Sequence, residues 1–115
     1  MKKTEIIKKN YEFKYFFKKG KYISGTLLEI FIFNGDKEKN KIGIVVSKKV
    51  GKSVTRNKIK RYIRAAYTEI EEKINKNSNI LIIWKKKENP QKANFFDVKE
   101  DLIKIFEKAE ILGEK

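Results

Sequence analysis

The chain changes its hydrophobic period twice within about forty residues, and no other feature constrains its fold as strongly. Lys41 to Ser47 reads as a strand. From about Thr55 to Asn75 the apolar residues recur at helical spacing. At roughly 100° per residue, Ile59, Ile63, Ala66, Ile70 and Ile74 fall within an arc of about 80°, while Asn57, Lys60, Arg61 and Arg64 cover the adjoining arc of about 100°. One helix face therefore packs and its neighbour is cationic. Ser78 to Trp84 returns to a short apolar run of strand length. Strand, helix and strand make a βαβ unit, for which the generic expectation is a right-handed crossover in about 98% of cases.

The flanking segments add elements of both kinds. Asn10 can cap a short helix through about Lys18, with Phe13, Phe16 and Phe17 at i, i+3 and i+4 on one face and Gly20 as its stop. Tyr22 to Phe33 is rich in β-branched and aromatic residues, with a break at Ser24-Gly25, and Asn34-Gly35-Asp36 is a turn signal. Together with Lys41–Ser47 these strands predict an antiparallel meander. Phe95 to Leu112 reads as an amphipathic helix with Val98, Leu102, Ile105, Phe106, Ala109 and Leu112 on one side. No repeat, Pro-rich linker or low-complexity block divides residues 1–115. The expected fold is a single α+β domain with a small mixed four-stranded sheet in the order α-β-β-β-α-β-α, and the length allows roughly 65% of the unfolded surface to be buried.

Charge then narrows the function. The formal net charge is +14, from 29 Lys+Arg against 15 Asp+Glu. Residues 1–64 hold 19 basic and 5 acidic residues, whereas residues 65–115 hold 10 of each, so the whole excess sits in the first half. A general lysine surplus for solubility would be spread more evenly, and the asymmetry points to a polyanion-binding face. Lysine outnumbers arginine 26 to 3, yet Arg56, Arg61 and Arg64 fall within nine residues. Arg offers phosphate a planar bidentate fork where Lys offers a point charge, which is a reason for a lysine-biased chain to keep Arg there. Residues 48–64, KKVGKSVTRNKIKRYIR, carry eight basic residues and no acidic one. A solvated lysine-rich helix is the commoner meaning of such a run. Here, however, Arg56, Lys60 and Arg64 stack like charges at i, i+4, which costs a few tenths of a kcal/mol per pair unless an anion relieves it. Ser53 or Thr55 can cap the helix start, whose free N–H groups would also favour a phosphate.

Several classes are excluded or demoted by the same inventory. There is no Cys and no His, which removes thiolate nucleophiles, Cys/His metal cages and His-based acid/base pairs. Glu71-Glu72 and Glu100-Asp101 lie on charge-balanced helices and read as solvated faces. Gly51-Lys52-Ser53 resembles the end of a Walker A motif, but Val46 stands where its earlier glycine is required. The longest run without a charged residue is the eight from Asn77 to Trp84, against about 20 for a membrane span. The lysines at the N-terminus precede no apolar signal region, so the expected location is the cytoplasm.

The basic segment and its surroundings carry a resemblance. Ser47-Lys48-Lys49-Val50-Gly51 followed by Arg56-Asn57-Lys58-Ile59-Lys60-Arg61-Tyr62-Ile63-Arg64 is similar to the signature of the protein subunit of bacterial ribonuclease P, a Ser-Lys-Lys-x-Gly strand end leading into an Arg-Asn-Arg helix. The similarity extends to Lys8-Lys9-Asn10-Tyr11-Glu12-Phe13, to Phe17-Lys18-Lys19-Gly20, and to the length and element order of nearly the whole chain. Lys58 departs from the usual second arginine and keeps only its charge, and Lys52-Ser53 follows the glycine where a small polar pair is common.

The resemblance implies a left-handed βαβ crossover, contrary to the generic rule, with the basic helix inside it. It implies a protein cofactor of a tRNA 5′-maturation ribozyme, in which a partner RNA performs Mg²⁺-dependent hydrolysis and Mg²⁺ is bound mainly by RNA. The implied partners are that catalytic RNA and precursor tRNA, with neither DNA nor membrane, and the protein itself is expected to be a monomer. The RNA-binding residues would be Lys48, Lys49, Lys52, Arg56, Asn57, Lys58, Lys60, Arg61 and Arg64. Phe13, Phe17 and Phe31 would line a cleft for the 5′ leader, leaving Phe16 to the core. The alternative is a ribosomal protein of similar small α+β fold that binds rRNA structurally, which would need no exposed aromatic cleft.

Overall fold

A computed structural model of the chain describes residues 4–7, 10–35, 40–74 and 78–112. Its elements are β1 (Thr4–Ile6), α1 (Asn10–Lys19), β2 (Lys21–Ser24), β3 (Leu28–Asn34), β4 (Asn40–Val45), α2 (Ser53–Ile70), β5 (Ser78–Trp84) and α3 (Phe95–Ala109). The strands form one mixed sheet in the order β1-β4-β5-β3-β2. The fold is α+β with three helices, as the periodicities predict, but the sheet has five strands and not four. β1 is three residues long, too short to show an alternation, and it is recruited by parallel pairing of Thr4, Glu5 and Ile6 with Asn40, Lys41 and Ile42 at the β4 edge.

The expected meander is only half present. β2 and β3 form an antiparallel hairpin with Tyr22 opposite Phe31. β5 then inserts between β3 and β4, antiparallel to the first and parallel to the second. The reason is apolarity: Ile80, Leu81, Ile82 and Trp84 are all fully buried, on both faces of β5, which suits a strand covered from both sides.

Alternate residues of the sheet serve two separate clusters. Leu28, Ile30, Ile32, Ile42, Ile80, Ile82 and Trp84 pack against Ile59, Ile63, Ala66 and Tyr67 of α2 and Val98, Leu102, Ile105 and Phe106 of α3. On the opposite face Leu81 packs with Phe16 of α1 and with Ile7, joined by the half-buried Phe13, Phe31, Phe33, Val45 and Ile83. The two surfaces of interest, α1 with its sheet face and α2, thus belong to opposite sides of one sheet.

Helix boundaries correct the sequence reading at several points. α2 ends at Ile70, not near Asn75, because Glu71–Lys73 tightens to a 3₁₀ turn and Ile74 becomes extended. Ile74 stays buried, bridged to Leu112. Neither Ser53 nor Thr55 caps α2; Lys52 holds that position without a side-chain capping bond. α3 is capped by Asn94, whose Oδ1 accepts from the Asp97 N–H at 2.9 Å, and it stops at Glu110 in the left-handed region (φ 59°, ψ 37°), so Leu112 lies beyond it. The Asn10 side chain and Asp36, invoked for a cap and a turn, lie outside the described residues.

Two acidic residues that the sequence reads as solvated, Asp101 and Glu71, are buried and lock the layers together, because each is held by hydrogen bonds to donors of another element. Asp101 of α3 accepts from the N–H groups of Thr26, Leu27 and Leu28 at 2.8, 3.0 and 2.9 Å, satisfying the donors of the β2–β3 connection. At the other end Thr4 donates to Glu71 Oε2 at 2.6 Å and lies 2.8 Å from the Tyr67 hydroxyl. Thr4 has one proton, and the carboxylate takes it, so Tyr67 is the donor to Thr4.

Candidate nucleic-acid interface

The aromatic side of the site begins with the turn out of α1. Gly20 closes the helix, its N–H donating to the Phe16 carbonyl at 2.9 Å. A Cβ there would lie 2.5 Å from that carbonyl oxygen and 2.9 Å from Phe31 Cβ, so only glycine lets α1 end this close to β3. Gly43 on β4 plays the same part for Phe13, whose ring would meet a Cβ at 2.8 Å. Phe16 is 1% exposed and stacks edge-on against Phe33 at 5.0 Å.

Phe17 lies at the edge of the same helix face and is 56% exposed. Its ring meets Phe31 at 4.9 Å and 69°, and Phe31 meets Tyr22 at 5.2 Å and 55°. Phe17, Phe31 and Tyr22 therefore form a continuous row across α1, β3 and β2. Phe13, Phe17 and Phe31 do share one side of the molecule, with Phe13 reaching further across the sheet over Gly43 and Leu81. Tyr22, 50% exposed, was not singled out from the sequence. Its register opposite Phe31 could have revealed it, because directly paired residues face the same way.

Next to this row the sheet face is half-buried, with Val45 and Ile83 packed at the edge of the Phe16–Leu81 cluster. Strand register aligns Glu29, Ile83 and Val45 as one level across β3, β5 and β4, next to the level of Phe31, Leu81 and Gly43 that α1 covers. All three side chains of the first level are half-buried. Val45 ends β4, and within three residues the chain enters the 3₁₀ turn Lys48–Val50, with Lys48 and Lys49 exposed. The Ser47 hydroxyl caps that turn by accepting from the Lys49 N–H at 3.2 Å. The cationic segment starts where this level stops.

Along α2 the predicted cations divide by role. Arg56 is half-buried; its Nε donates to the Gly51 carbonyl and its Nη2 to Ser53 Oγ, both at 3.1 Å, fixing the entry loop to the first turn. Ser53 does not cap because it is itself the first residue of the helix, one position past the cap. Asn57, Lys58, Arg61 and Arg64 are exposed, as is Lys52, and Lys60 is half-buried. Neither Arg61 nor Arg64 has an acidic partner among the described residues, so their forks remain open to an external anion. With regard to Mg²⁺, no group of three or more Asp or Glu side chains among the described residues could hold an ion. No helix of the described residues is long and apolar enough to cross a membrane.

A five-stranded mixed sheet, helices on both faces, a cationic helix in the β4–β5 crossover and a partly exposed aromatic row define a class of small basic α+β proteins. Comparison with known proteins identifies the class more narrowly. The family model described as Ribonuclease P matches residues 1–110. The ribonuclease P protein component of Dictyoglomus turgidum is 43% identical over 110 residues, covering 96% of this chain and 92% of that protein. Among solved structures, the Staphylococcus aureus RNase P protein superposes with a TM-score of 0.83 at 28% identity, covering 94% of this chain and 97% of that one. The Thermotoga maritima RNase P protein gives 0.81 at 27% identity, with 90% and 96% covered. The chain belongs to the ribonuclease P protein component family.

Proposed function

We propose that this chain is the protein cofactor of a ribonuclease P holoenzyme. In this reading the α2 face and the 48–52 turn neutralise phosphates of a catalytic RNA, and the α1–sheet cleft holds the single-stranded 5′ leader of precursor tRNA. Hydrolysis belongs to the RNA, with Mg²⁺ held mainly there, and the protein acts by raising the affinity for substrate in the cytoplasm. The observation that carries the reading is the exposed Phe17–Phe31–Tyr22 row, on a chain whose α2 also presents Arg61 and Arg64 with no acidic partner among the described residues. A structural rRNA binder has use for the cations but none for rings left in solvent, whereas unpaired bases gain about 1–3 kcal/mol each by stacking on such rings.

In this reading the other cationic residues take distinct roles. Arg61, Arg64, Asn57 and Lys58 offer direct phosphate contacts, Lys48, Lys49 and Lys52 extend them toward the cleft, and Lys60 lies between. Arg56 serves mainly to shape the loop that presents the others. The test is to recover the tagged protein from its own cells and sequence the RNA that comes with it. A single abundant RNA that, purified and recombined with the protein, cleaves precursor tRNA at the mature 5′ end is the expected result. Recovery of ribosomal RNA alone would overturn the proposal.

A further inference from the structure

The floor of the cleft contains a carboxylate, and on a face that receives a polyanion this needs a reason. Glu29 lies on the level with Ile83 and Val45 and is half-buried. Its Oε2 accepts from the Tyr22 hydroxyl at 3.0 Å. Oε1 has no hydrogen-bond partner, and no cation lies in ion-pair reach of either oxygen, among the described residues. A carboxylate so placed repels phosphate but accepts hydrogen bonds from the edge of a base.

The helix geometry sets which part of a strand would meet it. With Phe13, Phe16 and Phe17 turned to the sheet, Lys14 and Lys18 follow about 60–100° further round α1 on the Phe17 side, and both are exposed. Phosphates can run along that lysine rim while bases enter over Phe17, Phe31 and Tyr22. Glu29 is bonded to the Tyr22 end of this row and lies opposite Ile83, within reach of the edge of a base stacked there.

Resting on the leader-cleft reading, we propose that Glu29, aimed by the Tyr22 hydroxyl, reads one leader nucleotide and selects bases that present an amino donor. Guanine suits it best, because its N1–H and N2–H groups lie side by side and match the two carboxylate oxygens. Adenine and cytosine offer one amino group each. Uracil offers a single N–H flanked by two carbonyl oxygens, which the carboxylate repels.

The experiment uses the reconstituted holoenzyme and a set of precursor tRNAs in which each leader position carries each of the four bases in turn. At one position the wild-type protein should bind guanine about fivefold or more tighter than uracil, the lower end expected of a bidentate contact. Glu29→Gln should abolish this ratio while leaving the unfolding midpoint and the affinity for leaderless tRNA unchanged, and Tyr22→Phe should diminish it while keeping the ring. A wild-type protein without base preference at any leader position, or a preference that survives Glu29→Gln, overturns the inference. Phe17→Ala, measured alongside, separates the two readings: if it abolishes the benefit of a leader while Glu29→Gln changes no ratio, the cleft stands and base reading falls. If Phe17→Ala has no leader-dependent effect, both fall together.

Discussion

Phe16 and Phe17 are adjacent in the chain and have opposite physical fates, which makes them a matched pair for experiment. Phe17→Ala removes an exposed ring, so its unfolding midpoint should stay near wild type, while holoenzyme affinity should drop by about 1–3 kcal/mol only for substrates whose leader reaches the cleft. Phe16→Ala empties a core position and should cost about 3–5 kcal/mol of stability. Chemical denaturation and substrate binding on the same two variants check both statements. A third residue reports on pH. Burial first, and then the Glu71 charge, raise the Tyr67 hydroxyl above its ordinary value of 10.0. The folded state favours the neutral phenol, so the contribution of this residue is complete below pH 10 and is lost as pH climbs through the raised value. Tyr67→Phe should cost about 1 kcal/mol at neutral pH by breaking the bond to Thr4, and its deficit against wild type should shrink above pH 10. Denaturant titrations at pH 7 and at two points above 10 measure the difference.

Elements with a full period announced themselves, and those defined by partners did not. α2 and α3 were legible because Ile59, Ile63, Ala66 and Ile70, and then Val98, Leu102, Ile105 and Phe106, repeat at helical spacing over several turns and are all buried. β1 was illegible because three residues cannot repeat, and its place depends on an edge supplied by β4, some 36 residues away. The position of β5 between β3 and β4 was hidden for the same reason, as pairing order is a long-range choice. Within the candidate site, the Phe13–Phe17 spacing and the cationic run could be read directly. The binding of Arg56 to its own loop and the Tyr22–Glu29 bond could not, because each depends on backbone geometry at a turn or across strands. As a unit, α2 should act as a phosphate surface and not as a base reader, since its exposed face has cations without an aromatic platform. Replacing Arg61 and Arg64 together by Ala should weaken RNA binding across unrelated sequences and lower the salt slope by up to about two contacts, roughly 0.7–0.9 each. A salt titration of the double variant, with circular dichroism to confirm the fold, would expose the idea as wrong if the slope were unchanged.

For the whole molecule the chemical inventory and the division of charge belong together. With no Cys or His and no acidic cluster among the described residues, RNA-free protein should not cleave precursor tRNA. Cleavage that follows the nuclease-treated protein through successive columns would overturn the cofactor reading. The order of synthesis adds a last consequence. β5 joins β3 to β4, yet it is the final strand to be made, arriving after all the excess positive charge. Until Trp84 has been added, β2–β3 and β1–β4 have no strand between them, and a fragment ending before Ser78 should stay unfolded by circular dichroism. On this expectation the strands before α2 gain their common sheet only with Ser78–Trp84, seven residues from the half of the sequence that carries no net charge.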